Sequence, residues 1–88
     1  MITSNNFIAR IESLVRATIE ALDYELVRVT YEPEDGAMAL TLFINHASGI
    51  TLDDCEKVSL TIDPIIEASG IMESEENWTL NVSSPGVS

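Results

Sequence analysis

Apolar residues recur at helical spacing near the start of this 88-residue chain. The stripe consists of Phe7, Ile8, Ile11, Leu14, Val15, Thr18, Ile19 and Leu22. Because residues three and four apart lie on one side of an α-helix, this spacing predicts an amphipathic first helix. Ser4, Asn5 or Asn6 has the side chain of a suitable N-cap.

The pattern then changes to alternation, which is typical of half-buried strands. In the first run, Val27, Val29 and Tyr31 are expected on one face and Leu26, Arg28 and Thr30 on the other. In the second run, Leu40, Leu42 and Ile44 alternate with Ala39, Thr41 and Phe43. Between the runs, "PEDG" (Pro33 to Gly36) has the composition of a turn, because Pro presets φ and Gly permits a positive φ. The two runs are therefore predicted to form a hairpin.

The segment "ITLDDCEKVSLTI" predicts a second helix. Thr51 and Asp54 have the spacing of a capping box at its start. Its expected buried stripe is Cys55, Val58, Ser59, Ile62 and Ile66. Pro64 lacks an amide hydrogen and its ring clashes with the preceding turn, so we expect the regular helix to cover only residues 52–63.

The last alternating run, "WTLNVSS", predicts a third strand with Trp78, Leu80 and Val82 in the core. The element order is then α-β-β-α-β. This order indicates an α+β, two-layer sandwich with two helices on one face of a three-stranded mixed sheet. We expect a right-handed, parallel connection from strand two to strand three, and strand one at the centre of the sheet.

Charge restricts the partners that this domain can bind. Fifteen acidic side chains and four basic ones give a formal net charge of −11. Binding to phosphates depends on Lys and Arg, so a direct grip on nucleic acid or on an anionic membrane is not expected. A basic protein is the electrostatically favourable partner, unless the acidity serves only solubility. No apolar run approaches the roughly 18 residues of a membrane span, and the start of the chain does not resemble a signal peptide.

Residue patterns for catalysis are sparse. The chain has one His and one Cys, with no Gly-rich phosphate loop and no spaced Cys/His cluster, so no enzyme activity, cofactor or metal is expected. Cys55 is interpreted as a reduced core thiol of a cytoplasmic protein. His46 is interpreted as a solvated residue with no carboxylate beside it. Asp53 and Asp54 suit a helix start better than the rival interpretation, a metal-assisted hydrolase, because adjacent helical side chains diverge by about 100°.

The sheet face opposite the helices is the remaining candidate site. It is expected to carry Leu26, Arg28, Thr30, Ala39, Thr41, Phe43, Thr79 and Asn81. Such a face either contacts a partner or is simply solvated. We take Leu26, Arg28, Thr41, Phe43 and Asn81 as the partner-binding candidates.

Three stretches resemble a known family in sequence, order and spacing. "ALDYELVRVTYE", "GITLDDCEKVS" and "WTLNVSSPG" are similar to the amino-terminal domain of the RimP ribosome maturation factors, from about Leu14 to Gly86. The resemblance implies the same α-β-β-α-β sandwich, followed by a small SH3-like barrel. It also implies a cytoplasmic, non-enzymatic protein that assists maturation of the small ribosomal subunit and engages a basic ribosomal protein.

The same resemblance divides the chain. Residues 1–83 are expected to be the RimP-like domain and residues 84–88 the start of a linker, with the carboxy-terminal barrel absent from this chain. The junction would comprise Ser83, Ser84, Pro85 and Gly86. The chain departs from the family in having Asp23 where Gly is frequent, and Asn45 and Asn81 where an acidic residue is common. The alternative to the RimP assignment is a free-standing acidic adaptor with a different client.

Overall fold

The computed structural model describes residues 4–75 and 77–84, and these fold in the predicted α-β-β-α-β order. The elements are α1 (Ser4–Ala21), β1 (Glu25–Glu34), β2 (Ala37–Asn45), α2 (Leu52–Ser69) and β3 (Trp78–Ser83). The helices contact each other, and they pack against β1 and β3 on the same side of the sheet. The predicted α+β class and two-layer arrangement are confirmed. The proposed caps of α1 at Ser4 and Asn5 lie outside the described side chains, and Asn6 is within the helix.

The sheet has the order β1-β2-β3, so β2 is the central strand. It pairs antiparallel with β1 and parallel with β3. The parallel pairing was predicted correctly, but the central position of β1 was wrong. The sequence contains one clue to the observed order. Pro33 lies within β1, and its missing amide hydrogen is tolerated only at the edge of a sheet.

The turn between β1 and β2 is shorter than predicted. Pro33 and Glu34 continue β1, and only Asp35 and Gly36 form the loop. Both loop residues have positive φ, 51° and 84°, as in a type I′ turn. This turn type matches the natural twist of two paired strands, and Asp-Gly is one of its preferred sequences.

A β-bulge changes the face assignment at the start of β1. The register pairs Leu26 with Ile44 and Arg28 with Phe43, which leaves Val27 as an extra residue. Leu26 is consequently in the core with 4% of its surface exposed, while Val27 is 44% exposed. The expectation that Leu26 lies on the open side and binds a partner was therefore wrong, because one extra residue inverts the alternation before it.

The second helix continues through Pro64 to Ser69, so the predicted end near residue 63 was wrong. Pro64 lies on the exposed side of α2, where water can hydrate the Leu60 carbonyl that lacks its usual donor. On the opposite side of α2, Ile62 and Ile66 are fully buried, and their packing holds the helical turns before and after Pro64 against the core. The helix ends at Gly70, whose left-handed φ of 73° lets its amide donate to the Glu67 carbonyl.

The core lies between the helices and the inner face of the sheet. Its fully buried members come from α1, β2 and α2: Ile11, Val15, Ile19, Leu40, Leu42, Ile44, Val58, Ile62 and Ile66. All nine were predicted as apolar stripe or strand positions. Cys55, Ser59 and Trp78 are only half-buried, and Trp78 packs against the rim of the core at the start of β3.

Candidate interaction surface

The strand register assembles three cross-strand rows on the side of the sheet away from the helices. The rows are Arg28–Phe43–Ser83, Thr30–Thr41–Asn81 and Glu32–Ala39–Thr79, and together they form what we call the open face. No described element covers it, because α1 and α2 both lie on the other side. The open face combines one aromatic ring with short hydroxyl and amide side chains, a composition suited to adaptable protein contacts.

Phe43 and Arg28 form the most distinctive pair of the open face. The Arg28 guanidinium carbon lies 4.6 Å from the centroid of the Phe43 ring, which is a cation–π contact. Arg28 forms no ion pair with a described residue, so its charge remains available. Phe43 is half-buried, and its ring therefore provides apolar area that a partner could bury further.

The structure brings together four of the five residues predicted to bind a partner. Arg28, Phe43, Thr41 and Asn81 occupy neighbouring rows across all three strands. Leu26 is excluded because it lies under the opposite face. Thr30, also on the open face, completes the row that contains Thr41 and Asn81.

A second polar cluster joins the end of α1 to the start of α2. The Tyr24 hydroxyl donates to Asp54 Oδ1 at 2.6 Å. Asp54 Oδ2 accepts from the Thr51 amide at 2.9 Å and from the Thr51 hydroxyl at 3.0 Å, while the Asp54 amide donates to Thr51 Oγ1, which completes a capping box. These bonds lower the pKa of Asp54, and its carboxylate raises the pKa of Tyr24 to about 12. Both oxygens of Asp54 are thus used to anchor the helix start.

His46 belongs to the same end of the molecule, and its surroundings differ from the prediction. Its Nδ1 accepts from the Ser48 amide at 3.0 Å, so Nε2 carries the proton and donates to Asp23 Oδ2 at 3.3 Å. The His46 ring also meets the Tyr24 ring edge-on at 5.5 Å. The prediction that His46 has no carboxylate beside it was wrong, because sequence spacing gave no signal for a partner 23 residues away.

Asp23 occupies the left-handed position that the family resemblance suggested. Its φ is 73°, its amide donates to the Glu20 carbonyl, and the Tyr24 amide donates to the Ile19 carbonyl. These two bonds are a Schellman motif closing α1. The side chain of Asp23 therefore reaches His46 from a backbone conformation more readily adopted by Gly.

Another tyrosine ties the hairpin to the loop before β3. The Tyr31 hydroxyl donates to Glu75 Oε1 at 2.6 Å, and the Tyr31 ring lies 5.1 Å from the ring of Phe7. Burial, together with the bond to Glu75, raises the pKa of Tyr31 above its usual value. This contact fixes the loop against the inner side of β1.

The remaining candidate groups offer little chemistry within the described part of the chain. Residues 4–75 and 77–84 contain no cluster of three His, Cys, Asp or Glu side chains able to hold a metal, and no helix there could cross a membrane. Burial raises the pKa of the Cys55 thiol, which disfavours its reactive form. At the expected junction, Ser83 ends β3 and Ser84 is buried, while Pro85 and Gly86 lie outside the described residues.

Comparison with known families agrees with the architecture and with the sequence resemblance. A sequence model described as the RimP N-terminal domain matches residues 14–88, which is most of the chain. The matched range includes all three strands, α2 and the carboxy-terminal part of α1. The chain therefore belongs to the RimP N-terminal domain family, a family of ribosome maturation factors that act on the ribosomal subunit.

Proposed function

We propose that this domain assists maturation of the small ribosomal subunit by binding one of its proteins through the open face. The observation that carries this proposal is the Arg28–Phe43 pair, in which an aromatic ring of the central strand lies beneath a cation that forms no ion pair with a described residue, on a sheet face that no described element covers. Aromatic and Arg side chains surrounded by weaker polar contacts are typical of the residues that dominate binding energy. Thr30, Thr41 and Asn81 provide such polar surroundings.

Charge supports a basic protein as the immediate partner. Ribosomal RNA presents phosphates, and a domain with a formal charge of −11 is repelled by them. The same charge speeds encounter with a basic protein, an effect that salt screens over about 8 to 10 Å. We therefore expect binding to weaken as ionic strength rises.

The domain contributes binding rather than catalysis, and it does so in the cytoplasm, where the family acts. One sheet face is a small interface, and association must overcome several kcal/mol of lost translational and rotational freedom. A second domain joined beyond Ser84 would raise the effective concentration of its own contacts and so strengthen the whole. We expect the isolated domain to bind more weakly than a form that carries the carboxy-terminal barrel.

Titration of the fluorescently labelled chain with purified small subunits tests this proposal. Phe43→Ala should weaken binding about tenfold, as expected for an aromatic anchor. Leu60→Ala is the matched control, because it removes exposed apolar surface from α2 on the other side of the molecule. Thermal melts of both variants establish that each is folded.

Three results would contradict the proposal. They are equal affinity of the Phe43→Ala variant and the parent, binding that does not change with salt, and tight binding to protein-free ribosomal RNA. Absence of any affinity for small subunits in the presence or absence of the barrel would instead favour an acidic adaptor with a different client.

A further inference from the structure

The two edges of the sheet differ in how well they are protected against pairing with another strand. The β1 edge contains the bulge at Val27, Pro33, and the carboxylates of Glu25, Glu32 and Glu34. Bulges, prolines and charges are the features by which proteins block strand addition. The β3 edge has none of them, since the six residues of β3 contain no charged side chain and no proline, and their register with β2 is unbroken.

The backbone of β3 presents unpaired groups along this edge. The Met38 amide donates to the Asn77 carbonyl at 2.9 Å, and Met38 is opposite Trp78 in the parallel register. Peptide groups of successive strand residues point in opposite directions, so Thr79 and Asn81 direct theirs to β2. Trp78, Leu80 and Val82 direct their amides and carbonyls outward, where no described strand pairs with them.

An acidic groove runs beside the same edge. Ser59, Asp63 and Glu67 of α2 line one wall and Trp78, Thr79 and Leu80 of β3 line the other, and the groove between them is open to solvent with a volume of about 420 Å³. Asp63 and Glu67 are exposed, and neither forms an ion pair with a described residue. The groove thus combines unpaired backbone groups with two uncompensated negative charges one helical turn apart.

We propose that an extended segment of a basic protein adds to the β3 edge as a fourth strand and directs Lys or Arg side chains to Asp63 and Glu67. Main-chain hydrogen bonds to Leu80 and Val82 would supply affinity, and the carboxylates would select a basic sequence. Alternate side chains of the added strand face the other way and extend the open face beside Asn81. The identification of this segment with a ribosomal protein rests on the proposed function, whereas the preference for a basic strand rests on the groove itself.

A second copy of this chain is a poorer occupant of the edge. Pairing of two β3 strands would bring two sets of Asp63 and Glu67 into one interface, between molecules that each carry a formal charge of −11. Repulsion between like charges disfavours that arrangement. The assignment to a basic partner would be overturned if the free chain dimerised with rising concentration and if an ester in place of the Thr79–Leu80 amide abolished that dimerisation.

Hydrogen exchange measured residue by residue by NMR tests the pairing. The probe is a blocked nonapeptide with alternating Lys and Val, and the control peptide has Glu in place of each Lys. The Lys peptide should slow exchange of the Leu80 and Val82 amides at least tenfold, and the Glu peptide should leave them unchanged. Failure of the Lys peptide to protect these amides, or equal protection by the Glu peptide, would overturn the proposal.

A backbone variant removes the proposed hydrogen bond from the Leu80 amide to the added strand without altering any side chain. Cys55 is a natural ligation site, so residues 55–88 can be synthesised and joined to residues 1–54. An ester in place of the Thr79–Leu80 amide deletes the outward Leu80 hydrogen and should weaken Lys-peptide binding about threefold to tenfold. The matched ester at Leu80–Asn81 deletes an inward hydrogen and keeps the outward Leu80 hydrogen, although it makes the outward Leu80 carbonyl a weaker acceptor. It should therefore lower the stability of the fold and weaken peptide binding by the folded protein less than the Thr79–Leu80 ester does.

Charge variants test the selection of a basic segment. The pair Asp63→Asn and Glu67→Gln should weaken Lys-peptide binding about fivefold to tenfold. The pair Asp53→Asn and Glu56→Gln removes the same charge from α2 outside the groove and should have a smaller effect; an equal effect would contradict the proposal. Protection by the Lys peptide without any affinity for small subunits would support edge pairing while refuting the proposed function, so the two failures are distinguishable.

Discussion

Replacing Pro64 with Ala should stabilise this domain, because proline interrupts the hydrogen bonding of a helix that continues past it. Pro64 lies in the interior of α2, with one turn of helix beyond it before the Gly70 cap. Its nitrogen cannot donate to the Leu60 carbonyl. Alanine at this position restores the donor and fits the same exposed site without burying any group.

The expected gain follows from two opposing contributions. Proline in a helix interior is about 3 kcal/mol less favourable than alanine. Because water can hydrate the exposed Leu60 carbonyl, Pro64 should cost α2 less than this roughly 3 kcal/mol. Proline also restricts the unfolded chain, which stabilises the folded state by about 0.4 to 1 kcal/mol, and the alanine variant loses this stabilisation. The free energy of unfolding should therefore rise by about 1 to 2 kcal/mol. For a domain of this size, each kcal/mol corresponds to roughly 4 to 8 °C in Tm.

Urea unfolding monitored by Trp78 fluorescence, together with thermal melts, measures this change. Asp63→Ala is a suitable control, because it alters the neighbouring exposed position without changing the backbone donor and should shift stability by less than about 0.5 kcal/mol. A Pro64→Ala variant that is no more stable than the parent would refute the reasoning. That result would mean that α2 requires the geometry proline imposes to place Ile62 and Ile66 in the core.

Three other substitutions or titrations examine different parts of the structure. Trp78→Ala should lower the free energy of unfolding by about 1 to 3 kcal/mol, measured by urea unfolding followed by circular dichroism. The loss is smaller than for a fully buried aromatic residue because Trp78 is half-exposed. Unchanged stability with lost subunit binding would show instead that Trp78 belongs to an interface. Hydrogen bonding to Asp54 raises the pKa of Tyr24 from 10.0 to about 12, so the folded state retains this proton longer and its stability should fall as pH rises through that window. Phenolate absorbance measures this titration, and a Tyr24 value near 10 would contradict it. Asp23→Gly should relieve the left-handed backbone at φ 73° and raise the free energy of unfolding in urea by about 0.5 kcal/mol. A variant less stable than the parent would contradict this prediction and show that the bond from His46 to Asp23 contributes more than the relief.

Periodicity was sufficient to predict the elements and most of the core. Apolar spacing identified Ile11, Val15 and Ile19 on α1, and alternation identified Leu40, Leu42 and Ile44 on β2. These predictions succeed because burial of one face follows directly from the repeat of a helix or strand. The same alternation placed Arg28, Thr41, Phe43 and Asn81 together on the open face before their register was known.

The errors arose where tertiary pairing decides the outcome. The bulge at Val27 shifts the register by one residue and places Leu26 in the core. Nothing in the local sequence indicates a bulge at this position. The strand order depends on whether β3 pairs with β1 or with β2, which strand periodicity does not decide. Pro33 in β1 does indicate that β1 is an edge strand, because its missing amide hydrogen disfavours a central position. At Pro64, packing of the buried side of α2 outweighed the local preference to end the helix. The contact of His46 with Asp23 likewise depends on two loops meeting in space.

Hydroxyl-radical footprinting of the chain bound to small subunits tests the central claim most directly, because it reports side-chain exposure at each site in one experiment. The account predicts that oxidation of Phe43 falls several-fold on binding, whereas oxidation of Leu52, which is 86% exposed at the start of α2, stays at its level in the free protein. Unchanged oxidation of Phe43 on fully bound chain would contradict the claim that the open face is the surface that contacts the ribosomal subunit.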